Sequence, residues 1–453
     1  MHRQIEKSAG SVRSKLHATL LACVIGLYLH LLNLSISLGR ASVVISVEYA
    51  VMMSVMILGY LKFKRIVNPI SSVMIFWLAL IYYRLGISNR QNELTLQSQV
   101  YIYAFIFFYV LGTFFVLRRR LRPFVVHNEK SLYILNVLFA AAVIVACCEF
   151  YVFGGFPIVK SMFGGQDIYG EVVGIPIFHY LVMLSAILPA AYYYLYRIGA
   201  ISKVSFYIFV IASLFIVLNT MSRQLLIFSI ILSFFSYSSV NRIDPDRLLF
   251  KWAVFAIAAF ILLGMSRISA INPNIQALDY LKAYSDVPKE FDVNIFDVTF
   301  NLYASLNFNT FQEMTSLTNE VGYGKYFLKP IVGIINFGNV LGISYVEQYD
   351  SFRRLGTIVA DPVLDFGLLG VIIFSFSYGL VSANIFRLLN SLRSIGVIII
   401  WSTIVYTLLM SVFANFFNVF FSWICVFVGA LISISTITLK LGAFFRTKNS
   451  IAH

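Results

Sequence analysis

Apolar runs of about 20 residues recur through most of this chain, and about 20 is the number an α-helix needs to cross roughly 30 Å of hydrocarbon. No other feature narrows the fold as far. A backbone in lipid must satisfy its own hydrogen bonds, which leaves only helices and closed barrels. A barrel strand would alternate polar and apolar residues over about ten positions, whereas these runs are continuous. Composition agrees: 60% of the residues are hydrophobic and 12% charged, about half the charge of an ordinary soluble domain.

The expected architecture is an all-α polytopic membrane protein with about twelve transmembrane helices. The runs lie near 16–37, 42–61, 69–87, 99–117, 131–152, 175–196, 204–220, 224–240, 250–266, 362–386, 395–413 and 417–439. Arg3, Lys7, Arg13 and Lys15 precede the first run, which is too long for the core of a signal peptide and reads as an uncleaved signal anchor.

Charge then sets the topology. Connectors alternate between basic and acidic character, and one alternating set, which includes both tails and the RRRLR cluster at 118–122, carries 22 of the 34 lysines and arginines. Basic short loops mark the cytoplasmic side, so both termini are expected there. Most of the net charge of +14 is accounted for in this way, and nucleic acid is not expected as a partner. The acids divide oppositely: only Glu6, Glu129, Asp244 and Asp246 fall on the basic side, leaving 16 of 20 outside or in the outer half of a span. Polar chemistry is therefore expected at the external face.

Two external connectors are too long to be turns. Residues 153–174, FGGFPIVKSMFGGQDIYGEVVG, hold six glycines in 22 positions, which suits a mobile loop over a site or a plain flexible linker. The second connector runs 267–361 and separates a first unit, 1–266, from a last one, 362–453. It is rich in aromatic and amide side chains, the groups that sugar rings pack against and hydrogen-bond to, although an interfacial aromatic belt has the same composition. Within it, IVGIINFGNVLGIS at 331–344 is too short to span and is expected as an interfacial or re-entrant helix.

Cys23, Cys147, Cys148 and Cys425 all lie in apolar segments, without a CxxC pair or histidines at ligand spacing, so neither a disulfide framework nor a zinc site is expected. No nucleophile motif, glycine-rich phosphate loop or metal cluster occurs either. The expectation is metal-independent chemistry without a cofactor.

The candidate residues are the charges that helix stability does not explain. Arg223 follows Ser222 at the start of the 224–240 run; Ser222 suits an N-cap, but a cation at the first helical position opposes the helix dipole. It either snorkels to lipid phosphates or serves as a fork for phosphate or diphosphate. The adjacent Arg353 and Arg354 suit a lipid diphosphate in the same way, and Arg267 and Arg84, on the same face, complete a possible cationic ring. Asp361 and Pro362 are an ordinary helix start. Asp365 lies one turn further on, where a carboxylate is costly unless it is paired or acts as a base. Glu149, Glu48 and His179, in outer halves of spans, are further acid–base candidates, with a structural histidine as the plainer reading of His179.

In layout and in several short motifs the chain resembles the Wzy-type O-antigen or oligosaccharide repeat-unit polymerases. The similar features are the Ser222–Arg223 dipeptide opening a middle span, the large late external loop, Asp365–Phe366–Gly367 at the next span, NPISSVMIFWLALIYY at 68–83 and GGFPI at 154–158. The resemblance implies a glycosyltransferase of the bacterial inner membrane with its active site facing the periplasm. It would move a glycan from undecaprenyl diphosphate onto an incoming lipid-linked repeat unit, with a chain-length regulator protein as a partner. By motif position the family's functional arginines correspond to Arg223, Arg353 and Arg354. No histidine occurs in 267–361, a departure from the histidine-bearing loop repeats of some members.

The same absence weighs against an O-antigen ligase, which uses the same donor. A lipid-linked oligosaccharide flippase, the rival from another class, should line its central spans with charge, and the middles of these spans are nearly free of it.

Overall fold

The structure is a computed structural model that describes residues 24–40, 42–116, 129–164, 174–175, 177–271, 277–317, 321–328, 330, 356–392 and 394–450. Arg353, Arg354, the 331–344 segment and the RRRLR cluster lie outside them.

Among the described residues the chain is helical without strands. In chain order the helices are α1 (Val24–Ser37), α2 (Ser42–Phe63), α3 (Pro69–Leu85), α4 (Leu96–Phe114), α5 (Glu129–Phe153), α6 (Pro157–Gly164), α7 (His179–Met183), α8 (Leu188–Arg197), α9 (Lys203–Asn219), α10 (Arg223–Asn241), α11 (Pro245–Ile271), α12 (Ala277–Ser285), α13 (Ile295–Phe300), α14 (Asn307–Leu317), α15 (Ala360–Leu392), α16 (Ile395–Leu409) and α17 (Phe420–Ser450). Among the described residues, six segments are long and apolar enough to cross a membrane: Ser42–Phe63, Leu96–Phe114, Ser131–Lys160, Arg223–Asn241, Ala360–Leu392 and Ile395–Val412. Their outward faces carry large apolar side chains, such as Val43, Val47 and Leu58 on α2, which is the surface a bilayer solvates. α16 is the central post, with 83% of its apolar window buried against 28% for α2.

Close backbone approach holds the bundle. At the contact of α4 with α15, a Cβ on Gly112 would overlap the Phe376 carbonyl, and one on Gly379 the Tyr109 carbonyl. Gly396 and Gly429 make the same reciprocal contact between α16 and α17. Lipid gives helices no hydrophobic reason to associate, so small residues that let backbones meet supply the packing. Gly379→Ala forces the two backbones apart, and we expect it to cost on the order of 2 kcal/mol, the usual scale of an overpacked site. The check is a lowered thermal midpoint of the purified protein in detergent.

Alternate connectors gather at opposite ends of the bundle. At one end, Arg65 donates to Asn390 Oδ1 and Asp246 accepts from the Ile66 and Val67 N–H groups. At the other, residues 88–95 are stitched along α12 to α14: Asn89 N to the Asp286 carbonyl, Gln91 to Asn301, Thr95 N to Gln312, and Arg90 to Asp286 at 2.6 Å. The long connector is therefore not a separate cap in this part. α13, a π-helical turn at Asn301–Ser305 and α14 wedge into the bundle, burying Asn301, Ser305, Asn307, Phe308 and Phe311. Many of the amides and aromatics read as sugar-binding are thus internal packing.

Three helix boundaries differ from the expected runs. The 175–196 run is interrupted by a 3₁₀ turn at Leu184–Ile187, just before Pro189, whose ring lacks an N–H and clashes with the preceding turn. α11 continues to Ile271, so Arg267 sits on that helix rather than opening the loop. In α15, Phe366 and Gly367 leave helical geometry, with Gly367 at φ 59° and ψ −142°, a conformation that favours glycine. Asp365–Phe366–Gly367 is consequently a break inside the helix. Asp361 lies beyond the first helical residue, Ala360, and is not the N-cap.

Candidate active site

Two of the sequence candidates meet where the end of α5 approaches the start of α7. Glu149, near the end of α5, lies 3.0 Å through both carboxylate oxygens from His179 Nδ1 at the start of α7, and Glu149 Oε1 also accepts from the Ile175 N–H at 3.0 Å. The carboxylate is 9% exposed and the imidazole 32%. A buried carboxylate on Nδ1 selects the tautomer whose Nε2 carries the lone pair, leaving that nitrogen able to accept a proton. Gly174 is required here, because a Cβ would run into the imidazole.

Arg223 is the second element. Ser222 caps α10 through its hydroxyl, which accepts from the Leu225 N–H at 3.4 Å. Arg223 follows at the first helical position, where its Nη2 donates to the Tyr303 hydroxyl at 3.1 Å and its guanidinium carbon lies 5.4 Å from the Tyr303 ring centroid. Tyr303 reaches α10 from the π-helical turn; an extra residue in a helical turn re-aims side chains, and such turns are frequent at functional sites. The phenol and its ring hold the arginine plane in place. α6 joins this corner through the Ile158 N–H, which donates to Asn219 Oδ1 at 3.2 Å, four residues before Arg223.

Asp365 has a different job. It is 1% exposed, and its oxygens accept from the main-chain N–H groups of Gly324 at 3.1 Å, Tyr326 at 3.0 Å and Phe327 at 2.8 Å. The Leu364 and Asp365 carbonyls accept from the Gly322 and Tyr323 N–H groups. The carboxylate thus anchors residues 322–327 onto the break in α15, and it bonds to neither Glu149, His179 nor Arg223. This is a positioning geometry rather than that of an open base. Burial, aided by the Asp365 and Asp361 carboxylates, pushes the Tyr326 hydroxyl above its ordinary pKa. Asp361 is 6% exposed and its Oδ2 accepts from the side-chain amides of Asn415 at 2.9 Å and Asn418 at 3.0 Å.

Arg84 is committed elsewhere. Its Nε lies 2.7 Å from Glu48 Oε1, and its Nη2 donates to Tyr103 and Gln99. This ties α2, α3 and α4 together, and it pairs a residue expected at the diphosphate with one of the expected bases. Arg267 is on α11.

One cluster escaped the sequence reading. His30 Nε2 on α1 lies 2.9 Å from Asp297 Oδ1, which also accepts from the Tyr82 hydroxyl at 3.0 Å, and Asp297 is 1% exposed. A lone histidine within the first apolar run was the available signal, since titratable groups in a span seldom lack a partner.

No protein-family profile, curated protein or solved structure matches this chain.

The described residues thus hold an oriented imidazole–carboxylate pair between α5 and α7 and a guanidinium backed by Tyr303 at the start of α10. Such a set can take a proton from a hydroxyl and stabilise an anionic leaving group.

Proposed function

We propose that the protein is a Wzy-type glycosyltransferase that polymerises undecaprenyl-diphosphate-linked oligosaccharide repeat units for a surface polysaccharide at the periplasmic face of the bacterial inner membrane. In this reading the chain crosses the membrane twelve times with both termini in the cytoplasm, and the loop-rich end faces the periplasm. The observation that carries the proposal is the pairing of Glu149 with His179 at the same end as Arg223 and its Tyr303 clamp. Lipid-linked donor and acceptor and the surrounding membrane lipids are the partners, together with a chain-length regulator protein.

The chemistry follows from these groups. His179 Nε2 takes the proton of the attacking sugar hydroxyl while Glu149 holds Nδ1–H and stabilises the imidazolium that forms. The hydroxyl oxygen bonds to the anomeric carbon as the bond from that carbon to the lipid diphosphate breaks, and the electron pair leaves with the diphosphate. Arg223 faces the charge that grows there. Arg353 and Arg354 supply further cationic donors to the same group in this proposal.

The test is reconstitution of purified protein with lipid-linked repeat units, read as a ladder of polymer lengths on a gel. Glu149→Gln keeps an acceptor for Nδ1–H and removes the charge, and His179→Ala removes the base; each is expected to slow ladder growth about 10²–10⁴-fold, the span usual for general-base catalysis. Wild-type rates in both variants, at wild-type protein levels, would exclude this pair as the base.

A further inference from the structure

α1 turns one side into the bundle and leaves the opposite side open. Leu31, Leu34 and Ser35 are buried. The Tyr49 hydroxyl donates to the Val24 carbonyl at 2.8 Å, and His30 Nε2 lies 2.9 Å from Asp297 Oδ1, so contacts with α2 and α13 set the rotation of this helix about its axis. The outward side carries Gly26, Leu29, Asn33 and Ile36, all four exposed, with Leu29 at 55% and Ile36 at 65%. Their spacing of three, four and three residues is the seam pattern of a left-handed helix pair.

Two of these residues are out of place on a surface that only lipid covers. Asn33 lies within the 16–37 apolar run, and its amide has no hydrogen bond among the described residues; a polar side chain in a span is costly without a partner. Gly26 weakens the helix, and its own chain gives no reason for it, because a Cβ there would meet no atom within 4 Å. Gly112, Gly379, Gly396 and Gly429 each mark a contact between helix backbones. Gly26 offers the same close approach on the open side of α1.

We propose that this face of α1 docks on α1 of a second copy of the chain. Copies inserted in one membrane share one orientation, so a two-fold axis between them runs along the membrane normal and sets the two α1 helices parallel. Residues on that seam meet their own counterparts. A primary amide carries both donors and an acceptor, so Asn33 pairs with the same asparagine of the second copy, and one asparagine at such a position fixes register and the number of helices. Gly26, seven residues earlier on the same seam, lets the backbones approach, while Leu29 and Ile36 fill the space between. A lipid headgroup would satisfy Asn33 alone and gives Gly26 no purpose. The inference rests on the 16–37 run being a span and is independent of the polymerase chemistry.

The test is energy transfer between full-length copies carrying donor and acceptor fluorescent domains at the C-terminus, co-expressed at several levels and read in isolated membranes, where every copy keeps one orientation. Wild type is expected to show transfer well above that of an unrelated membrane protein carrying the same domains at the same density. Asn33→Leu and Gly26→Leu should each weaken association about tenfold, the factor that about 1.4 kcal/mol represents. Asn33→Gln, which keeps the amide, should recover most of the transfer. Neither leucine should lower the thermal midpoint in excess detergent, where copies are apart, because both positions are open in their own chain. Wild-type transfer no higher than that of the unrelated protein overturns the proposal. Unchanged transfer in either leucine variant does the same and leaves the face to lipid. A midpoint lowered in both assigns the face to a segment of the same chain and also overturns it. A ladder built by protein that does not associate would end this proposal and leave the polymerase reading standing; association without a ladder does the reverse.

Discussion

Arg223→Ala is expected to abolish the polymer ladder while protein levels stay near wild type. Removing one preorganised donor from a developing anion costs about 10²–10³ in rate, and a guanidinium facing a diphosphate offers two parallel charge-assisted bonds. Stability should change little, since a cation at the first position of α10 works against the helix dipole and the cap bond from Ser222 to the Leu225 N–H remains. Arg223→Lys is expected to restore only a minor part of the activity, because an ammonium lacks the planar fork. Tyr303→Phe tests the clamp separately: it deletes the 3.1 Å bond to Arg223 and keeps the ring beneath it. The expected outcome is an intermediate rate. Full activity in Arg223→Ala would sink the diphosphate assignment.

Asp365→Ala is expected to produce the largest loss of stability. It strands the three main-chain donors of Gly324, Tyr326 and Phe327 and leaves a void beside Gly322, whose own Cβ would overlap the Asp365 carboxylate. Buried unsatisfied donors at roughly 1–3 kcal/mol each put the cost on the order of 4 kcal/mol. Limited proteolysis should then cut within 321–328 in the variant and not in the wild type, with a lowered thermal midpoint. Asp365→Asn keeps acceptor capacity on one side and turns an NH₂ toward a main-chain donor on the other, so a smaller loss of the same kind is expected. A variant that keeps its midpoint and loop protection but loses all activity would return Asp365 to the role of base.

The two cases divide what could be read along the chain from what could not. Ser222 as a cap and Arg223 behind it follow from local rules, and the structure has both. Asp365 was marked by its cost inside an apolar run, but the three N–H groups that answer that cost lie about 40 residues away, at separations of 38, 39 and 41. Glu149 and His179 were each legible as a titratable group in an outer half-span. Their meeting was not, because the glycine-rich connector between them carries no periodicity to set its path. His30 and Asp297 are separated by 267 positions, and no helix-face or capping rule reaches that far.

Hydrophobic run length decides, from the sequence alone, that this chain forms apolar helices long enough to cross a membrane, and the placement of lysine and arginine sets the expectation that polar groups gather at one end. Both are local properties: transfer of each residue into hydrocarbon or its exclusion from it sums over a single helix. The tertiary structure alone decides which carboxylate meets which imidazole, where α15 breaks, and how residues 321–328 and α13 to α14 enter the bundle. Those outcomes turn on backbone contacts such as Gly112 and Gly379 and on buried polar groups finding donors across the bundle. The physical reason is that a desolvated polar atom must be paired, whereas which partner pairs it depends on the packing of every helix at once.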